Sequence, residues 1–138
     1  MIHIAALDHL VLTVADMART CEFYRLVLGM EAVTFGGDRQ ALHYGRQKIN
    51  LHQTGASFAP HAQVPTPGSA DLCFLISGSL DAAEAHLQSL GVPIVAGPVR
   101  RTGAAEELLS IYIRDPDGNL LELSVPAGPL GDGVNAPR

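Results

Sequence analysis

The sequence predicts an α+β fold built from two βαβββ modules. Two passages of the chain, beginning near residues 7 and 69, alternate between apolar and polar residues and then change to helical spacing. Each passage is followed by short β-rich runs that are separated by turn residues. The 138 residues, of which 47% are hydrophobic, are sufficient for one globular domain with its own core.

The sequence of the first module predicts one strand, one helix and three further strands. Residues 7–14 alternate as a half-buried strand does, with His9 on the polar face. Asp16 is a suitable N-cap, and Gly29 a natural stop, for an amphipathic helix between them. Three short strands then follow, with glycine-containing turns between them, at residues 30–35, 40–44 and 47–53.

The second module repeats this order. Residues 69–76 alternate like the first strand and place Asp71 where the first module has His9, 62 residues earlier. Ser79 can cap a second helix that ends near Gly91. Further strands are predicted near Ile94, at residues 107–114 and at residues 119–125. An internal repeat of this kind defines the architecture more firmly than any single element does.

These elements predict a single domain over residues 1–126. Its modules span about residues 5–54 and 69–126, and the Pro- and Ala-rich residues 55–68 form a linker between them. Residues 127–138 have almost nothing to bury and are expected to form a C-terminal tail without stable structure.

Composition points to a small molecule as the partner. The net charge is −5, and the only pair of adjacent basic residues is Arg100-Arg101, which argues against a nucleic-acid or anionic-membrane surface. The first residues form neither a signal peptide nor a spanning helix, so a cytoplasmic location is expected. Two cysteines do not make a Cys-rich zinc site, and both are expected to be reduced.

Four polar side chains stand out in the predicted strands. Glu122 lies between Leu121 and Leu123, where burying a carboxylate costs several kcal/mol unless a partner compensates it. The first strand of each module presents His9 or Asp71 on its polar face, and the last strand presents His52 or Glu122. If the modules pack about a pseudo-twofold axis with these faces inward, the four side chains converge as a divalent-metal site.

The residues also carry a family resemblance. The motif Asp8-His9-Leu10, the helix end at residues 23–30 and the segment at residues 115–122 resemble the vicinal oxygen chelate superfamily. This superfamily includes glyoxalase I, fosfomycin-resistance proteins, extradiol dioxygenases and bleomycin-resistance proteins. Residues 33–37, 47–52 and 97–104 most resemble the glyoxalase domain-containing, virulence-related proteins.

The resemblance implies a cup of curved mixed sheet with helices outside. In such a cup a divalent metal (Zn, Ni, Mn or Fe) chelates two oxygens of the substrate. His9 and Glu122 match the first-strand and last-strand ligands, and His52 lies where bacterial glyoxalase I carries a glutamate. Asp71 replaces a histidine, and three roles are open to it: a fourth ligand, a ligand through water, or an acid that orients an imidazole. The superfamily commonly dimerises, so a homodimer is expected.

The resulting functional hypothesis is a glyoxalase-like, metal-dependent enzyme that acts on vicinal oxygens by Lewis-acid catalysis. Glu122 or Asp71 could also move a proton if released from the metal. A binding protein of the bleomycin-resistance type and a ring-cleavage dioxygenase are the alternatives. Arg101 and Thr102 could clamp an anionic substrate group or lie in a solvated loop. Tyr112 could face the substrate or serve only in packing.

Overall fold

The computed structural model describes residues 1–130. Its fold is α+β, as the sequence predicts, with two four-stranded mixed sheets and two helices. The elements are β1 (His9–Val14), α1 (Met17–Leu28), β2 (Glu31–Phe35), β3 (Arg39–Tyr44), β4 (Gln47–Gln53), β5 (Asp71–Leu75), α2 (Leu80–Ser89), β6 (Ala96–Thr102), β7 (Glu107–Arg114) and β8 (Leu120–Gly128).

The two sheets have the same topology. The strand order is β1-β4-β3-β2 in the first sheet and β5-β8-β7-β6 in the second. In each sheet the first pair of strands in this order is parallel and the others are antiparallel. The chain divides into two compact units: the first is residues 1–70 with Pro116–Gly118, and the second is Asp71–Asp115 with the described residues from Asn119 onward. The predicted repeat of βαβββ order is therefore confirmed.

The core of the first unit follows from the alternation in its strands. Leucine, isoleucine and valine side chains on one face of the sheet are buried together with Tyr24 of α1. The helix begins where the Asp16 carboxylate accepts a hydrogen bond from the Arg19 amide at 3.0 Å. It ends at Gly29, whose φ of 65° is the left-handed conformation that glycine adopts without strain.

In the second unit, α2 is capped by Ser79, whose hydroxyl accepts from the Ala82 amide at 3.1 Å. The turn before β8 is held by Asp115, which is buried. Its carboxylate accepts hydrogen bonds from the Asn119 backbone amide at 2.9 Å and from the Asn119 side-chain amide at 2.8 Å. This turn fixes the point at which β8 begins and thereby the position of Glu122 along the strand.

The largest differences from the predicted boundaries lie in β6 and at the end of β8. The strand expected near Ile94 begins at Ala96, and it extends to Thr102, so Arg101 and Thr102 lie in a strand rather than in a loop. The last strand continues past the expected domain end to Gly128, because its backbone pairs with β7 as far as Glu107. The remainder of the expected tail, residues 131–138, lies outside the described residues. Within residues 1–130 neither helix is long and apolar enough to cross a membrane.

Candidate functional site

Strand register defines which residues of the two modules correspond. In the parallel pairing of β1 with β4, His9 lies opposite Lys48, and in that of β5 with β8, Asp71 lies opposite Leu120. Asn50 lies two residues beyond the first pair, and Glu122 lies two residues beyond the second. Asn50 is therefore the structural counterpart of Glu122, and the prediction that gave this place to His52 is wrong by two residues. The alternation could not distinguish them, because residues two apart share a face of a strand.

Glu122 is a buried carboxylate held by hydroxyl groups. The Ser110 hydroxyl donates to Oε2 of Glu122 at 2.7 Å, and only 4% of the Glu122 surface is exposed. The Ser124 hydroxyl lies 2.7 Å from that of Ser110, and Sγ of Cys73 lies 3.3 Å from the Ser124 hydroxyl. These contacts form a hydrogen-bonded chain from Cys73 through Ser124 and Ser110 to Glu122. In this chain each serine hydroxyl accepts one hydrogen bond and donates one. The carboxylate is thus fixed in orientation.

A cavity of about 510 Å³ in the second unit brings several predicted residues together. Its lining includes Glu122, Asp71, Cys73, Arg101 and Thr102. Glu106 lines the same cavity, so three acidic residues and Arg101 border one space, although they come from different strands and turns. A concave site with a few polar groups among apolar ones is typical of small-molecule recognition.

Arg101 is held in this position by Tyr112. Its Nε donates to the Tyr112 hydroxyl at 2.8 Å, and its Cζ lies 5.5 Å from the centroid of the Tyr112 ring. Tyr112 is itself buried and is not part of the cavity lining. The structure therefore places Tyr112 behind Arg101, where it positions the guanidinium.

The rim of the cavity is a tight turn between β6 and β7. The Gly103 amide donates to the Glu106 carbonyl at 2.9 Å, and a Cβ on residue 103 would lie 2.5 Å from that carbonyl oxygen. Any other residue would push the turn open, so glycine is required here for close backbone approach. Arg101 and Thr102 are consequently held on a rigid hairpin.

In the first unit, His9 is oriented by its neighbour. Nδ1 of His9 lies 2.8 Å from a carboxylate oxygen of Asp8. This bond favours the tautomer that carries the proton on Nδ1 and leaves Nε2 as the free acceptor, as in carboxylate–histidine–metal arrangements. On the same sheet, Oδ1 of Asn50 is buried with no hydrogen-bond partner among the described residues. Asn50 was missed by sequence reasoning, and its place on the polar face was the only available signal.

His52 lies four register positions from His9, opposite Thr13. At ~3.3 Å per residue the two histidines are separated by about 13 Å along the strand, which makes Asn50 the nearer companion of His9. His52 is buried, and its Nδ1 has no partner in the described part of the chain. Burial first, and then the positive charges of Arg39 and His61, lower the pKa of the imidazole.

The four predicted ligands divide evenly between the units, with His9 and His52 in the first and Asp71 and Glu122 in the second. Across residues 1–130, no group of three or more His, Cys, Asp or Glu side chains is close enough to hold an ion. Each unit nevertheless offers a pair of suitable donors: His9 with the orphaned oxygen of Asn50 in the first, and Asp71 with Glu122 in the second. Imidazole nitrogen, amide oxygen and carboxylate oxygen are all ligands for divalent metals.

Comparison with known proteins gives a consistent result. The sequence model of the Glyoxalase/Bleomycin resistance protein/Dioxygenase superfamily matches residues 6–123. The chain is 57% identical over 121 residues to the glyoxalase domain-containing protein RDO1 of Mycosarcoma maydis. The matched region covers 88% of this chain and 68% of that protein. It is also 57% identical over 118 residues to virulence protein STM3117 of Salmonella typhimurium. Here the matched region covers 86% of this chain and 82% of that protein.

Solved structures share the fold. The crystal structure of STM3117 superposes with a TM-score of 0.90 at 54% identity, over 91% of this chain and 100% of that one. A lactoylglutathione lyase from Agrobacterium tumefaciens superposes with a TM-score of 0.68 at 24% identity, over 88% of this chain and 94% of that one. At that identity the second likeness concerns the fold alone.

Proposed function

Because the chain belongs to the glyoxalase/bleomycin resistance protein/dioxygenase superfamily, we propose that it is a glyoxalase-like, metal-dependent enzyme acting on a small molecule with vicinal oxygens. The observation that carries this proposal is the buried carboxylate of Glu122, which shares a cavity with Asp71. Hydrogen bonds from hydroxyl groups lower the cost of burying this acid, and a divalent metal is the further partner that the family suggests.

In the first unit the proposed ligands are His9 and Asn50, which takes the place of His52 by register, and in the second unit they are Asp71 and Glu122. Nε2 of His9 is available because Asp8 occupies Nδ1, and Oδ1 of Asn50 is buried without a partner. Imidazole nitrogen, amide oxygen and carboxylate oxygen are suitable ligands for Zn, Ni, Mn or Fe. The donor set departs from the two-histidine, one-carboxylate set of non-haem iron oxygenases, so it favours a lyase or isomerase over ring cleavage.

A bound metal would polarise a substrate oxygen as a Lewis acid. Around it, the side chains of this chain have separate tasks. Glu122 accepts a hydrogen bond from Ser110 and is placed to take a proton from a substrate carbon or hydroxyl. Arg101, held by Tyr112, presents its guanidinium to an anionic part of the substrate at the cavity rim.

Metal analysis of the purified protein tests this proposal. We expect about one equivalent of Zn, Ni, Mn or Fe per chain, and a large loss of it in His9→Ala and Glu122→Ala. Glu22→Ala, which removes an exposed carboxylate of α1, is the matched control and should retain the metal. If neither variant binds less metal than Glu22→Ala, the proposed ligands are wrong. A protein that binds none of these metals, but still retains a small ligand, would instead be a binding protein without catalysis.

The protein is also proposed to form a homodimer, as members of the superfamily often do. Light scattering on the eluted protein measures this directly, and a monomer at all accessible concentrations would contradict it.

A further inference from the structure

Two cations and two aromatic rings meet on the first sheet of the first unit, in a group that neither the sequence nor the proposed metal chemistry explains. Cζ of Arg39 lies 4.9 Å from the centroid of the Phe35 ring and 5.1 Å from that of Phe58. Nζ of Lys48 lies 4.4 Å from the Phe35 centroid. We call these four residues the cation–aromatic cluster. The rings fix the two long cationic side chains at defined positions.

The charge of this cluster is not balanced within the described residues. In residues 1–130, no carboxylate forms an ion pair or hydrogen bond with Arg39 or Lys48. Both cations lie within cation–π distance of the same ring, so they are close enough to repel each other. Stacking covers the face of a guanidinium but leaves its N–H groups pointing outward in the plane. An anion bound near these cations would relieve the repulsion and accept the hydrogens of the guanidinium.

His52 supplies an independent sign of a missing ligand. Its ring packs edge-on against Phe58, with centroids 5.5 Å apart and planes at 69°. The side chain is 96% buried, since 4% of its surface is exposed, and Nδ1 has no partner among the described residues. Buried polar atoms in proteins are normally satisfied, so an unpartnered ring nitrogen that shares Phe58 with the guanidinium of Arg39 indicates that a ligand completes the group. A neutral imidazole can donate one hydrogen bond from this nitrogen.

From these contacts we infer that the cation–aromatic cluster and His52 form a subsite for the oxyanion of a small organic acid, a carboxylate or a phosphate. Arg39 supplies a forked pair of N–H donors and His52, on the other side of Phe58, one N–H donor, while Lys48 adds a point charge next to Phe35. None of these residues is among the proposed metal ligands, so the subsite binds its anion without a metal. That the anion is part of the substrate rests on the proposed function.

The subsite can be tested on the metal-free protein by NMR. Side-chain signals of Arg39, Lys48 and His52 are followed during titrations with glycolate, inorganic phosphate and ethylene glycol, in EDTA and at constant ionic strength. Glycolate or phosphate should shift all three signals in a saturable way, and the uncharged ethylene glycol should not. The stronger of the two anions identifies the group that the site prefers. Shifts confined to other residues, or equal shifts with ethylene glycol, would overturn the inference.

Variants make the test specific. Arg39→Gln should weaken anion binding by at least about tenfold, and Lys48→Gln by several-fold. Arg19→Gln removes the same charge from an exposed position on α1 and should bind the anion as the parent does. If Arg39→Gln does not fold, Lys48→Gln and His52→Gln decide the question. Equal affinity of the folded cluster variants and Arg19→Gln would refute the subsite.

The same variants separate this inference from the proposed function. Arg39→Gln should keep the metal content of the parent, whereas His9→Ala should lose metal and keep anion binding. Failure of the anion titration alone removes the subsite and leaves the metal proposal intact.

Discussion

Replacing Glu122 by glutamine separates the structural role of this side chain from its proposed role as a ligand. The amide oxygen of glutamine can still accept from Ser110, whose hydroxyl lies 2.7 Å from the carboxylate in the parent. Exchanging a charge-assisted bond for a neutral one costs about 1 kcal/mol, and removing a buried charge offsets part of that. In EDTA we therefore expect the free energy of unfolding of Glu122→Gln to lie within about 1 kcal/mol of the parent value.

With metal present the two proteins should differ strongly. Metal at 100 times its dissociation constant should stabilise the parent by about 2.7 kcal/mol, and Glu122→Gln by almost nothing. Urea unfolding followed by circular dichroism, with and without Mn or Zn, measures both quantities. Glu122→Ala, which also removes the acceptor of the Ser110 hydroxyl, should lose about 2–4 kcal/mol even in EDTA. Equal metal-induced stabilisation of the parent and Glu122→Gln would refute the assignment of Glu122 as a ligand.

Three further predictions concern stability and reactivity. Asp115→Ala should lower the free energy of unfolding, measured in urea, by about 3–5 kcal/mol, because Asn119 loses two buried hydrogen bonds at 2.9 and 2.8 Å. A loss below about 1 kcal/mol would contradict this. Burial lowers the pKa of His52, so metal-free protein should lose stability as the pH falls from about 7.5 to 5, and His52→Asn should flatten that profile. Burial raises the pKa of the Cys21 thiol, which also donates to Gln40, so iodoacetamide at about pH 8 should alkylate Cys21 more slowly than in urea-denatured protein.

The sequence predicted those parts of the fold that local chemistry determines. Asp16 and Ser79 cap the two helices as expected, since each side-chain oxygen can reach an amide three residues ahead. The fold class and the repeat followed from alternation and helical spacing, which report only on neighbouring residues. The start of β6 was displaced because Pro93 and the Gly97-Pro98 pair interrupt the strand pattern near Ile94, where the pairing of β6 with β7 is irregular between Ala96 and Val99.

The candidate site was predicted less well because it depends on register. Period-two alternation places Asn50 and His52 on the same face and does not say which of them lies at the level of Glu122. Only the pairing of β1 with β4 decides this, and that pairing joins residues about 40 positions apart in the sequence. The cluster of Arg39 with Phe58 was missed for the same reason, because Phe58 belongs to the predicted linker.

Register also shows how the two modules have come to differ. The first strands repeat after 62 residues, from His9 to Asp71, but the last strands repeat after 72, from Asn50 to Glu122. The second module therefore has ten more residues between these points, and part of them lengthens its hairpin: β6 and β7 have 7 and 8 residues, where β2 and β3 have 5 and 6. That longer hairpin carries Arg101 and the rigid turn at the rim of the cavity.

The polar faces of the modules have diverged in charge as well. The second presents the carboxylates of Asp71 and Glu122 at its cavity, where they favour a cation. At the matching positions the first presents the imidazole of His9 and the neutral amide of Asn50, and on the same sheet it holds the stacked guanidinium of Arg39. Position 50 carries a neutral amide where the second module carries the carboxylate of Glu122, so this face of the first sheet keeps the positive charge of Arg39 and favours an anion, which is the condition that an oxyanion subsite requires.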